Sequence, residues 1–165
     1  MDSIVLIGFM GAGKTTIGKK LSGEGFLLLD TDECIEKKEN MKISDIFAEK
    51  GEEYFRNLET KLLEELCKDN RKIVLSCGGG MALRSQNREL LKKIGKVIYL
   101  KISSDTVLER LKKDTSRPLL QGEDRMNKVK TLMKQREEFY LQAADYVIKA
   151  DDKAPSQHAK ELLEL

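Results

Sequence analysis

Short apolar runs alternate along the chain with longer stretches whose hydrophobic residues recur every three or four positions. The runs, at Ile4–Ile7, 26–29, 73–75, 97–102 and 146–148, are rich in Val, Ile, Leu and aromatic side chains. Runs of that length read as strands, whereas Phe55, Leu58, Leu62, Leu63 and Leu66 keep the spacing of one helix face. Strands that are apolar throughout must be covered on both sides, and helices between consecutive strands do this for a parallel sheet. The pattern predicts an α/β fold, a three-layer sandwich around a five-stranded parallel sheet.

Two stretches interrupt the alternation. Gly78, Gly79 and Gly80 follow directly on the third strand. Residues 112–125 hold Pro118, Gly122 and many charges with little periodic apolar pattern. A segment of that length without regular structure is expected to be a mobile lid over a site.

Composition narrows the picture further. A chain of 165 residues is expected to form one domain, 1–165, able to bury a core without disulfides or metal staples. The net charge is only +2, with Lys and Glu interspersed, so no basic face is expected to meet nucleic acid. A monomer with small-molecule partners is expected. Ile4–Ile7 is too short for a signal core or a membrane span, and Met1-Asp2-Ser3 carries no basic leader, which suggests a cytoplasmic protein. Cys34, Cys67 and Cys77 never form a Cys-x-x-Cys pair and read as reduced thiols, each a small buried side chain. His158 is the single histidine. A position on the surface of the last helix is expected for it, away from any catalysis.

The first strand runs into Gly8-Phe9-Met10-Gly11-Ala12-Gly13-Lys14-Thr15, a complete phosphate-binding loop, and a helix is expected from about Lys14. Its glycines allow backbone angles that turn successive N–H groups, those of Gly11, Ala12 and Gly13 among them, toward an anion. The helix N-terminus adds partial positive charge at the same point. Lys14 would meet the β- and γ-phosphates, Thr15 would ligate Mg²⁺, and Thr16 could reach the α-phosphate. A dinucleotide fold is disfavoured, because Lys-Thr directly follows the last glycine.

The second strand ends in Asp30-Thr31-Asp32. In an extended chain residues two apart share a side, so both carboxylates would face one way at the carboxyl end of a strand, where such sheets bind ligands. Either Asp alone could instead cap the following helix. Arg56 lies on a predicted helix with Glu59 three residues on, the spacing that would orient it. By position alone Arg56 could be a surface ion pair, Arg136 part of a solvated helix face, and the three glycines a plain turn.

Taken in order, these residues resemble the shikimate kinase family, a nucleoside-monophosphate-kinase-like branch of the P-loop NTPase fold. The resemblance rests on the loop at 8–15, Asp30-Thr31-Asp32, Phe55-Arg56 with Glu59, Gly78 to Gly80, Arg117-Pro118-Leu119, and Arg136 followed by Tyr140. It implies a transferase that moves the γ-phosphoryl group of ATP, with Mg²⁺, to the 3-hydroxyl of shikimate in chorismate and aromatic amino acid biosynthesis. Asp32 would bind the acceptor hydroxyls and serve as base, and Asp30 would hold Mg²⁺ through water, with Ser76 near the metal waters. Arg56 and Arg136 would grip the acceptor carboxylate, with the backbone of Gly78, Gly79 and Gly80 lining the same pocket. Arg117 would reach from the lid to the phosphates, and Arg110 with Lys153 and Pro155 would flank the adenine. Cys77 departs from the usual family residue there. Gluconate kinase, with a hydroxylated carboxylate acceptor of its own, is the nearest enzymatic alternative. A non-catalytic nucleotide-binding domain of the same fold is the alternative from another class.

Overall fold

The computed structural model describes residues 2–112, 124–151 and 153–165. Strands β1 (Ile4–Ile7), β2 (Leu27–Asp30), β3 (Ile73–Ser76), β4 (Lys96–Lys101) and β5 (Tyr146–Lys149) form one sheet, in the order β2-β3-β1-β4-β5. All four pairings are parallel, with Ile4 beside Val74 and Lys96, and Ile98 beside Tyr146. The strands expected from the apolar runs are present, with ends shifted by a residue or so. The helices among the described residues are α1 (Lys14–Ser22), α2 (Thr31–Glu39), α3 (Ile43–Leu66), α4 (Ser85–Ile94), α5 (Ser104–Leu111), α6 (Arg125–Ala143) and α7 (Pro155–Leu163).

Alternation along β1 sorts the core into two layers. Ile4 and Leu6 pack with Ile17 and Leu21 of α1, Val107 of α5 and Leu162 of α7. Val5 and Ile7 face the other way, onto Phe55 and Leu63 of α3, Leu91 of α4 and Tyr140 of α6. This is the period of two that a strand buried on both faces must show. Each large side chain so buried contributes roughly 1.5–3 kcal/mol relative to leaving it exposed. The edges are more open, with Leu27 on β2 and Tyr146 and Val147 on β5 exposed.

Local signals set the helix ends. Asp30 accepts the Glu33 N–H at 3.1 Å and starts α2, and Ser103 accepts the Thr106 N–H at 3.2 Å and starts α5. Such caps satisfy amide groups that the first turn leaves open. Asn40 ends α2 in the left-handed conformation. Within α3, Gly51 has φ +84° and ψ 169°, so the element is two helical segments joined at a glycine.

Two expectations are corrected. His158 is buried, at 2% exposure, because α7 turns it inward together with Ala159 and Leu162. Neither of its ring nitrogens has a hydrogen-bond partner among the described residues. Of the three cysteines only Cys77 is fully buried, while Cys34 on α2 and Cys67 just after α3 are half-buried. Most of the expected lid at 112–125, with Arg117, lies outside the described residues. Among the described residues no helix is long and apolar enough to cross a membrane.

β1 is flanked by β3 on one side and β4 on the other, so the chain's strand order reverses there. A crevice opens at the carboxyl ends of the strands at such a point, and ligands of open α/β sheets bind in it.

Candidate active site

The loop after β1 fills that crevice. Gly8, Gly11 and Gly13 have φ of +151°, +86° and +91°, conformations that L side chains rarely adopt. Gly13 is the N-cap of α1, so Lys14 and Thr15 sit in its first turn. Lys14 Nζ donates to the carbonyls of Gly8 at 2.6 Å and Phe9 at 3.1 Å, which holds the ammonium across the loop. Arg110 of α5 donates to the Gly11 carbonyl and lies against Gly13 from the far side. Ala12 is buried, and Thr16 is exposed one residue beyond Thr15.

A cavity of about 240 Å³ lies beside this loop, bounded by Lys14, Thr15, Thr16, Asp30, Asp32 and Ser76 as well as Gly78 and Gly79. The Thr15 and Ser76 hydroxyl oxygens are 3.4 Å apart. Asp30 and Asp32 border the same space, though not for the expected reason. The chain is extended only as far as Asp30, whose carboxylate turns it into α2, and Asp32 stands in the first turn of that helix. Asp30 is therefore both a helix cap and a wall of the cavity.

Two hydroxyls and one carboxylate are hard oxygen donors suited to Mg²⁺, which binds through few protein groups and keeps waters and substrate phosphates as its other ligands. The fit is with such an ion and not with a metal held wholly by protein. Among the described residues no cluster of three or more His, Cys, Asp and Glu side chains is gathered.

The three glycines after β3 each face a different polar side chain. A Cβ on Gly78 would lie 2.9 Å from Asp32 Oδ1, and one on Gly79 would lie 3.0 Å from Arg136 Nη1. A Cβ on Gly80 would fall on the Arg56 guanidinium. The run thus lets a backbone segment approach three charged groups from different helices. It is tied down from both ends: the Gly78 N–H donates to the buried Thr31 hydroxyl at 2.9 Å, and the Tyr140 hydroxyl donates to the Gly79 carbonyl at 2.5 Å.

Both arginines are held inward. Arg136, at 9% exposure, lies over the Phe9 ring at 5.8 Å. Arg56 donates to Glu59 Oε1 at 2.7 Å and to Glu52 at 3.4 Å, over the ring of Phe55 at 5.4 Å. Glu59 has no exposed surface, and its Oε2 has no hydrogen-bond partner. Burial raises its carboxyl to about 6, although Arg56 pulls the other way. Burial also pushes the Cys77 thiol up, which makes it an inert packing group.

The remaining expected residues lie along α5 and α7. Asp151 accepts from the Ser103 N–H at 3.1 Å and the Thr106 hydroxyl at 3.1 Å, tying the segment before α7 to α5, the helix that carries Arg110. Lys153 pairs with Glu161, and Pro155 is the first residue of α7. Both are exposed. Sequence reasoning missed Thr31 as the anchor of Gly78. Its only signal was its place between the two aspartates.

The fold and site define a P-loop phosphate-binding protein of the small-molecule kinase type. A family model described as shikimate kinase matches residues 10–165. The chain is 45% identical to shikimate kinase of Sulfurihydrogenibium sp. over 99% of its length and 96% of that relative. It is 43% identical to shikimate kinase of Persephonella marina, over 99% and 98% of the two chains. The structure of Acinetobacter baumannii shikimate kinase in complex with shikimate superposes with a TM-score of 0.92 at 39% identity, covering 99% of this chain and 92% of that one. Deoxyadenosine kinase of M. mycoides shares the fold at a TM-score of 0.62 and 22% identity. The chain belongs to the shikimate kinase family.

Proposed function

We propose that this chain transfers the γ-phosphoryl group of ATP to the 3-hydroxyl of shikimate, a step of chorismate and aromatic amino acid biosynthesis. The observation that carries the reading is the run Gly78, Gly79 and Gly80, faced in turn by Asp32, Arg136 and Arg56 beside a phosphate loop. Two guanidinium groups and one carboxylate around an open backbone suit a small ring that bears a carboxylate and hydroxyls. The family relatives named for this activity support the same acceptor.

Phosphoryl transfer has a loose transition state, so the protein acts mainly by position and charge. In this reading Arg56 and Arg136 hold the acceptor carboxylate, and Asp32 orients the reacting hydroxyl and takes its proton late. Lys14 and the amides of Gly11, Ala12 and Gly13 hold the nucleotide phosphates, Thr16 the α-phosphate, and Arg110, Lys153 and Pro155 the adenine end. Thr15 and Asp30 would hold Mg²⁺, which supplies charge neutralisation on the transferring group. Arg117 would complete it from the lid. Exclusion of water by the closed site keeps ATP from simple hydrolysis. The protein would act as a cytoplasmic monomer.

The test is a coupled assay of ATP turnover with shikimate, gluconate and AMP as acceptors. Turnover is expected to rise sharply with shikimate and to respond little to the other two. Equal stimulation by gluconate would overturn the acceptor assignment.

A further inference from the structure

A second cavity, of about 230 Å³, lies behind the phosphate loop between the end of β4 and α6. Its floor is apolar, formed by Phe9, Tyr99, Ile102, Met133 and Tyr140. Four of these side chains are buried, and the Tyr99 and Tyr140 rings lie 5.1 Å apart at 39°. The rim carries Lys101, Lys130 and Lys134, with Glu137 and Ser104. Lys101 is neutralised by Glu137 at 3.0 Å. Lys130 and Lys134, one turn apart on α6, have no anionic partner among the described residues. The mechanism proposed above uses none of these rim groups.

We infer that this cavity is a binding site for a small aromatic carboxylate. Two exposed ammonium groups without an anionic partner among the described residues, beside an aromatic floor, suit a ligand with one anionic end and one flat apolar body. Inorganic phosphate would meet the lysines and leave the ring faces and Met133 uncovered, while a neutral aromatic would gain nothing from the two ammonium groups. The Tyr99 hydroxyl makes no hydrogen bond among the described residues. Burial, reinforced by Glu137 and Tyr140, holds its proton well above the ordinary phenol range, so it stands as a donor to an incoming carboxylate.

The cavity also has a shared wall. Phe9 lies under Arg136, and Tyr140 donates to the Gly79 carbonyl, so both touch the proposed acceptor site from behind. An occupant here would sit against the acceptor site without entering it.

Benzoate is the probe, titrated into the full chain by calorimetry, with and without saturating shikimate. One benzoate is expected to bind per chain in both conditions. Tyr99→Phe and Lys134→Glu should each weaken it by about fivefold or more, the loss of one hydrogen bond or one charge contact. Both variants keep the ring packing or lie at the rim, so they should fold and turn over shikimate as the parent does. The inference is overturned if benzoate fails to bind up to about 10 mM, where even feeble sites are populated. It is equally overturned if shikimate displaces benzoate competitively, or if both variants bind it as the parent does.

Discussion

Glu59 gathers the tension of the site at a single residue. Its carboxyl is buried, one oxygen bonded to Arg56 and the other without a hydrogen-bond partner among the described residues. An unpartnered buried acceptor is costly, and holding a proton relieves part of that cost. With the carboxyl raised to about 6 by burial, the native state keeps a proton that the unfolded chain has released. A raised carboxyl contributes stability that is fully present below the unfolded value and is lost as pH rises through the folded one. The window is therefore between about 4.5 and about 6. The size of the effect is about 2 kcal/mol at one pKa unit per 1.36 kcal/mol. Glu59→Gln cannot ionise, so its stability relative to the parent should rise across this window. Urea unfolding of both proteins at pH 4.5 and pH 7 measures it, and a difference that stays constant with pH would show that Glu59 does not titrate as described.

The informative element is the turn between β3 and α4. Gly78 needs no left-handed backbone, so its lack of a side chain matters only for what approaches it. Gly78→Ala would put a methyl group 2.9 Å from Asp32 Oδ1 and 3.5 Å from Glu59 Oε2. Asp32 would have to move. If Asp32 orients the acceptor as proposed, its displacement can cost on the order of 100-fold, so shikimate-dependent turnover should fall by about 10–100-fold. ATP affinity should be retained, because the added methyl group meets Asp32 and Glu59 and not the phosphate loop. Equal losses in ATP affinity and turnover would mean that the turn serves the nucleotide instead.

The same element shows what could be read in advance. Five strands were legible because each is a short apolar run, and the phosphate loop was legible because its chemistry is contiguous in sequence. The inward set of Arg56 and Arg136 was not. Each sits among charged neighbours on its own helix, and burial depends on Gly80 and Gly79, which come from a different part of the chain. The orientation of Asp32 was reached from a wrong premise, since the extended chain gives way to a helix once Asp30 caps it. His158 was misplaced for a similar reason: composition names a residue, and only the packing of α7 says which way it faces.

At the scale of the molecule, the site joins groups from the loop after β1 and from α1, β2, α2, β3, α3 and α6, so a ligand bound there ties together segments from most of the chain. Shikimate at about 100 times its dissociation constant should stabilise the fold by about 2.7 kcal/mol. For a chain of this size that is a rise in Tm of about 5–10 °C. Differential scanning calorimetry with shikimate and with gluconate distinguishes the acceptors without any turnover. No shift with shikimate would count against the acceptor site as drawn.

The strand order has a consequence for how the protein is made. β1 leaves the ribosome before both of its partners, yet it lies at the centre of the sheet and pairs with β3 and β4. Its partners begin only at Ile73 and Lys96. At roughly 5–20 residues per second, the segment carrying the nucleotide cradle waits several seconds with both of its edges unsatisfied. It is apolar, and a strand with unpaired edges of that kind recruits other chains. The nascent protein thus exposes this segment well before it can shelter it, and brevity is its protection: β1 is four residues long.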